Sequence, residues 1–259
     1  MADTTIYFNT LKADSRRKAV VAALVSNMKQ MGVTNPFTQA GILAVVSKES
    51  DFTPKNEIPY RNTPNDHIRA VFGSRVSKYT DPQLTNLKAN DEAFFNVVYG
   101  NMYGNAWNEG YKYRGRGYNQ LTFKGNYAQI APQIGVDIVN NPDLVNNLDV
   151  ATKVLVQYFK NRFSENGNKL TQYGAKGIND FKDLNNAVLA SYHANAGWGN
   201  NIATDSTGGK AKAIERSATF LEIVKANPTT TGGVFFLVTA AAAVFLFRLN
   251  KKHKLNEHK

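Results

Sequence analysis

From Gly232 to Phe247 the chain reads Gly-Gly-Val-Phe-Phe-Leu-Val-Thr-Ala-Ala-Ala-Ala-Val-Phe-Leu-Phe, without one charged residue. A helix that is apolar on every face must be enclosed by protein or by lipid, so this run divides the chain into a domain and an appendage. Its sixteen residues rise roughly 24 Å as a helix, short of a hydrocarbon core about 30 Å thick. Thr229 to Thr231 ahead of it, and a snorkelling Arg248 behind, bring it into range. Lys251, Lys252 and Lys254 follow, and clustered positive charge of this kind favours the cytoplasmic side of a membrane. The expected organisation is a folded domain over 1–226, a linker over 227–231, a transmembrane helix over 232–249 and a basic tail over 250–259. A lipid membrane is thus an expected partner. Met1 to Ser15 is polar and lacks the apolar run of a secretory signal.

With 259 residues, 42% of them hydrophobic, the chain can bury one substantial core and still carry such an appendage. It has no cysteine, which removes disulfide frameworks and thiolate metal sites from consideration. The net charge of +11 favours polyanionic partners such as wall polymers or membrane surfaces. The basic residues are scattered rather than gathered on one reading helix, so nucleic acid is not an expected partner. No His-Glu-x-x-His spacing occurs, and Gly115-Arg116-Gly117 is too short for a nucleotide loop, so neither metal nor organic cofactor is expected.

The periodicity is mainly α. Arg16 to Met31 presents Val20, Leu24, Val25 and Met28 on one face. Asn35-Pro36 reads as an N-cap followed by proline in the first turn, opening a helix that runs to Glu49 or Ser50. Pro54, Pro59 and Pro64 then impose a loop over about 51–65. Further helices are expected near 68–78, 91–103, 124–133, 149–163, 182–195 and 209–226. Strand signals are weak, and a small hairpin around Tyr113–Thr122 is the best candidate.

The chemistry concentrates in two places. Residues 111–127 set Asn119, Gln120, Thr122 and Asn126 among Tyr118, Phe123 and Tyr127. Neutral hydrogen-bonding groups between rings suit sugar hydroxyls, acetamides and C–H faces better than phosphates. Upstream, Glu49 follows Ile42, Val45 and Val46 at helical spacing. That places it on the core-facing side, where partial burial would favour the protonated form required of a general acid. Glu57 falls in the proline-rich loop, where solvent would keep it ionised as a base acting on water. Asp51 is its nearest rival, although its position directly after the helix better suits local hydrogen bonding. Arg116 either pairs with one of the glutamates or pins the loop.

The stretch Tyr113 to Tyr127 resembles the signature of glycoside hydrolase family 19, the chitinases and related phage endolysins, which typically carry Tyr-x-Gly-Arg-Gly-x-x-Gln-Leu-Ser/Thr and then Asn-Tyr. Ser47-Lys48-Glu49-Ser50 is similar to the family's catalytic helix end, Glu57-Ile58-Pro59-Tyr60 to its second acidic motif, and Asn141-Pro142-Asp143-Leu144 to a further endolysin motif. The resemblance spans about residues 35–200 in the right order. It implies a lysozyme-like α-rich domain, with Glu49 as acid, Glu57 as base and Thr122 holding the attacking water in an inverting reaction. It also implies Gln120, Asn126 and Asn195 as binders of the N-acetyl sugar, with Arg116 placed among them. The implied substrate is the N-acetylglucosamine and N-acetylmuramic acid glycan of peptidoglycan, or a chitin-like polymer. The expected setting is a bacteriophage lysis or virion-associated enzyme, anchored in a virion membrane or the host inner membrane.

Three departures stand out. Lys48 replaces the usual His, Gly125 stands where many chitinases have Tyr, and Asn195-Ala196-Gly197 replaces Asn-Gly-Gly. The last of these is also similar to the Tyr-Asn-Ala-Gly of lytic transglycosylases. A transglycosylase using Glu49 alone is therefore one alternative, and a non-catalytic wall-binding or virion structural protein is another.

Overall fold

The computed structural model describes residues 2–197 and 208–226. The expected linker, transmembrane helix and basic tail lie outside the described residues, and among those described no helix is long and apolar enough to cross a membrane. The described chain is helical: α1 (Ala2–Ala13), α2 (Ser15–Gln30), α3 (Pro36–Glu49), α4 (Asn65–Phe72), α5 (Asp81–Ala89), α6 (Asp91–Tyr99), α7 (Lys124–Ile134), α8 (Leu148–Glu165), the single turn α9 (Gly167–Leu170), α10 (Leu184–Ala196) and α11 (Gly209–Ala226).

Helix α3 is the axis of the fold. Asn35 caps it as the sequence predicts, its side-chain oxygen accepting from the Phe37 and Thr38 amides at 2.9 and 3.1 Å. Pro36 fills the first helical position, where a missing N–H does no harm. Every residue from Thr38 to Ser47 is buried, because α10 and α11 pack along α3 and enclose it. The approach of α10 depends on Gly41, where a Cβ would lie 2.9 Å from the Ala187 carbonyl oxygen. α2 packs on α8 beside this group.

Two smaller apolar clusters flank the main core. One joins Tyr113, Leu121 and Tyr127 to Ile130, Val145 and Val154. The other gathers Ile68, Leu84, Phe94, Phe95 and Val98 from α4 to α6.

Two helices escape the sequence reading. α1 occupies the stretch expected to be merely polar, and it inserts Phe8 and Leu11 into the main core. α5 starts at a capping box in which Gln83 accepts from the Thr80 amide at 2.9 Å. The helix expected over 91–103 stops at Tyr99, and the one expected over 68–78 stops at Phe72 with a 3₁₀ turn behind it.

The expected hairpin over 113–122 is also corrected. Arg116 and Leu121 form a single antiparallel bridge, with reciprocal bonds of 3.1 and 2.8 Å, and no strand occurs among the described residues. The ladder stops because Gly115 turns its backbone to a different partner: its carbonyl accepts from the Glu57 amide at 2.8 Å. A Cβ at Gly117 (φ 78°) would lie 2.9 Å from Val145, so glycine serves both the turn and the packing here.

Candidate active site

The proline-rich loop after α3 is fastened onto the 111–123 segment, and Glu57 is the fastening point. Its Oε1 accepts from the Tyr60 hydroxyl at 2.9 Å and the Tyr99 hydroxyl at 2.7 Å, while Oε2 accepts from the Gly115 amide at 3.0 Å. Both phenols are pushed above the ordinary tyrosine range, by burial first and then by the neighbouring Glu57 charge, so they remain donors at neutral pH. Here the loop departs from expectation. Glu57 is half-buried and held by protein donors instead of standing in solvent. Tyr99 and Tyr60 hold the Glu57 carboxylate, a contact that the sequence reading does not assign to either. Only the spacing of Glu57 and Tyr60 hinted at one of them, since Tyr99 is brought in by tertiary packing.

Glu49 closes α3. It does not point into the core: its carboxylate is about a third exposed and pairs with the Lys48 ammonium at 3.0 Å. The periodic argument fails because α3 is enclosed on all sides up to Ser47 and emerges from the core at its last turn. Asp51 and Phe52 then reverse the chain with φ of 48° and 56°. These are strained values for residues other than glycine. The turn is held from the amino end. Asp51 ion-pairs with Arg17 and accepts from the Tyr7 hydroxyl at 3.3 Å, and Arg16 donates to the Phe52 carbonyl and to Thr53. Asp51 thus serves local bonding, and Phe52 is fully buried against Phe220.

Gln120 lies beside Glu57 across Gly115. A Cβ on that glycine would meet the Gln120 Oε1 at 2.8 Å and the Glu57 Oε2 at 3.1 Å, so a larger residue would push these two side-chain ends aside. The Gln120 amide nitrogen donates to the Lys55 and Gly117 carbonyls at 3.0 and 3.3 Å. The Thr122 hydroxyl donates to the Gln120 carbonyl at 2.8 Å, and the Asn126 amide donates to the Thr122 carbonyl at 2.7 Å. These three therefore form one connected wall. Asn119, within the same turn, has both amide atoms unsatisfied among the described residues. Asn195 sits half-buried near the end of α10, on a different element from this wall.

Arg116 pairs with neither glutamate. It is 2% exposed, bonds Asp143 at 2.8 Å and donates to the Lys112 and Arg114 carbonyls at 2.7 and 3.2 Å. It pins the loop from beneath and is not a surface for substrate. The Asn-Pro-Asp-Leu stretch supplies its partner, and Asn146 just beyond accepts from the Gly117 amide at 3.0 Å. Tyr113, Tyr118 and Tyr127 are core rings, each no more than 1% exposed. In contrast, Tyr103 is 70% exposed and packs on Phe123, which in turn touches Tyr99. An accessible ring is thereby linked to the Glu57 cradle. Among the described residues no group of His, Asp and Glu could hold a metal ion.

An oriented carboxylate, an amide-rich wall and an exposed ring are groups a glycan-binding site can use, and comparison with known proteins places the chain among glycosidases. The family model for class I chitinases matches residues 96–177, which take in Tyr99, Gly115, Gln120, Thr122 and Asn126. A glycosyl hydrolase family 19 domain-containing protein of Haemophilus influenzae is 32% identical over 148 residues, 55% of this chain and 71% of the relative. A basic endochitinase of Vitis vinifera is 58% identical over 36 residues, 14% of this chain and 12% of that protein. The protein is a glycoside hydrolase of the chitinase and lysozyme type. It belongs to glycoside hydrolase family 19.

Proposed function

We propose that the enzyme cleaves the N-acetylglucosamine and N-acetylmuramic acid glycan of bacterial peptidoglycan by carboxylate acid–base catalysis. The observation that carries the reading is the Glu57 cradle, in which three donors converge on one carboxylate. An ionised carboxylate is acceptor-only, so this arrangement suits a general base that takes a proton from water. Thr122, joined to Gln120 and Asn126 through consecutive hydrogen bonds, is positioned on the adjoining wall to steady that water. Glu49 is the proton donor to the leaving oxygen, and the substrate displaces it from Lys48 before transfer. Gln120, Asn126 and Asn195 bind acetamido groups, and Tyr103 offers a ring to a sugar face. An inverting reaction needs its two carboxyl groups roughly 6.5–9.5 Å apart, with water between.

The peptidoglycan substrate is favoured over chitin by the net charge of +11, which complements an anionic wall. The uncharged run at Gly232–Phe247, followed by Lys251 and Lys252, supports a membrane tether that holds the enzyme beside that wall. A bacteriophage lysis or virion-associated role fits such a tethered lysin.

The deciding experiment is digestion of purified peptidoglycan by the full chain, beside Glu49→Gln and Glu57→Gln, with fragments read by mass spectrometry. Hydrated reducing ends that vanish in both variants are expected. Anhydro ends that persist in Glu57→Gln would instead identify a transglycosylase. No soluble fragments from the folded wild type would leave a binding protein.

A further inference from the structure

Beside the end of α3 lies a cleft of about 300 Å³ lined by Tyr7, Ser47, Lys48, Asp51, Lys212 and Arg216. Three cations therefore face one carboxylate, and Asp51 is already matched by Arg17 and the Tyr7 hydroxyl. The cations come from two helices. Lys48 projects from α3, while Lys212 and Arg216, four residues apart on α11, share a face of that helix. Arg216 is pre-set: its guanidinium stacks 3.6 Å from the Tyr7 ring centre and donates to the Ser47 carbonyl at 3.0 Å. Burial raises the Tyr7 hydroxyl to about 12, so it stays neutral and adds no negative charge to the rim. Positive charge held in a concave, partly desolvated setting attracts an anion more strongly than the same charge spread over a convex surface. Lys48 belongs both to this cleft and to the acid position, since its ammonium also contacts Glu49 at 3.0 Å.

We propose that this cleft binds a carboxylate carried by the wall glycan, that of the stem peptide or, where a muramoyl residue has no peptide, of its lactyl group, and so selects this anionic polymer over neutral chitin. The inference rests on the wall-glycan reading above and assigns the residues that enforce it. The planar Arg216 guanidinium beside the Lys212 ammonium offers donors that two carboxylate oxygens can share; the same donors would also take a phosphate, so the test separates the two anions. Lys48, where the family resemblance would put histidine, supplies a permanent charge at the junction of the cleft and the acid.

The test is cosedimentation of the full-length chain, carrying Glu57→Gln so that polymer is not consumed, with wall sacculi and with chitin particles. Lys212→Glu reverses one exposed cleft charge, and Lys78→Glu makes the same change outside the cleft. The expected result is that Lys212→Glu weakens sacculus binding roughly three- to ten-fold, as a lost and then repulsive ion contact should, while Lys78→Glu has little effect. Amidating the sacculus carboxyls should reproduce the loss in the Lys212 protein, stripping wall phosphate should not, and chitin binding should be unmoved by Lys212→Glu. Equal losses from the two lysine variants, equal losses on chitin, or dependence on phosphate instead of carboxyl groups would overturn the proposal. If the active wild type cuts chitin and not sacculi, the substrate reading fails, yet cosedimentation still decides what the cleft binds.

Discussion

At Glu57 two phenols and a backbone amide define how one carboxylate can point. Glu57→Gln should lower turnover by about 10²- to 10⁴-fold, the usual contribution of a positioned base, and should also lower the melting temperature, because its amide can no longer accept at both ends. Tyr99→Phe removes the shorter of the two phenolic bonds to Glu57, together with the contact of the Tyr99 hydroxyl with Tyr60. Because hydrogen bonds to charged groups are worth about 1.5–3 kcal/mol, kcat should fall about ten-fold or more while KM stays near the wild-type value. A change in KM alone would assign Tyr99 to substrate contact. Arg116 belongs to a different class. Removing it takes the guanidinium donor from the part-buried Lys112 carbonyl, while the Arg114 carbonyl keeps the Tyr127 hydroxyl at 3.3 Å. Arg116→Met should therefore destabilise the fold by about 2 kcal/mol or more, visible in a urea melt before any kinetic effect is interpreted.

At the level of helices, the sequence was legible wherever a cap or a strong apolar face announced itself. Asn35-Pro36 marked the start of α3, and the apolar faces of α2, α8 and α10 fell close to where they are found. α1 and α5 were missed because their apolar contributions are sparse, Phe8 and Leu11 among the described side chains of one and Leu84 in the other, which is too little to build a periodic signal. The direction of Glu49 was missed for the opposite reason. A helix enclosed on every side has no polar face from which orientation can be read. Glu57 was recognisable as a residue, and Tyr60 lies only three positions on, but the rest of its cradle was not legible, since Tyr99 and Gly115 meet it only through tertiary packing. A further expectation belongs at this scale. Gly41→Val should separate α3 from α10, because its side chain would collide with the Ala187 backbone. Overpacking of this kind typically costs about 1–3 kcal/mol, and calorimetry should show it.

Across the whole molecule, buried phenols set an alkaline limit. Burial pushes Tyr7 and Tyr127 up to about 12, and raises Tyr60, Tyr99 and Tyr118 as well. A group that holds its proton more tightly in the folded state stabilises fully below its unfolded pKa, about 10 for tyrosine. That stability is lost as pH rises from there through the folded values. The melting temperature should accordingly be flat from neutrality to about pH 10 and then decline. A decline that began near pH 8 would point to other groups. One consequence follows from the way the turn behind Glu49 is held. Tyr7, Arg16 and Arg17 reach across more than thirty positions of sequence to grip Asp51, Phe52 and Thr53. Helices α1 and α2 therefore act as a mechanical linkage to Glu49, the proposed acid. A clip, a fusion or a bound partner on α1 should be transmitted to Glu49, and turnover would then report on the integrity of that helix pair.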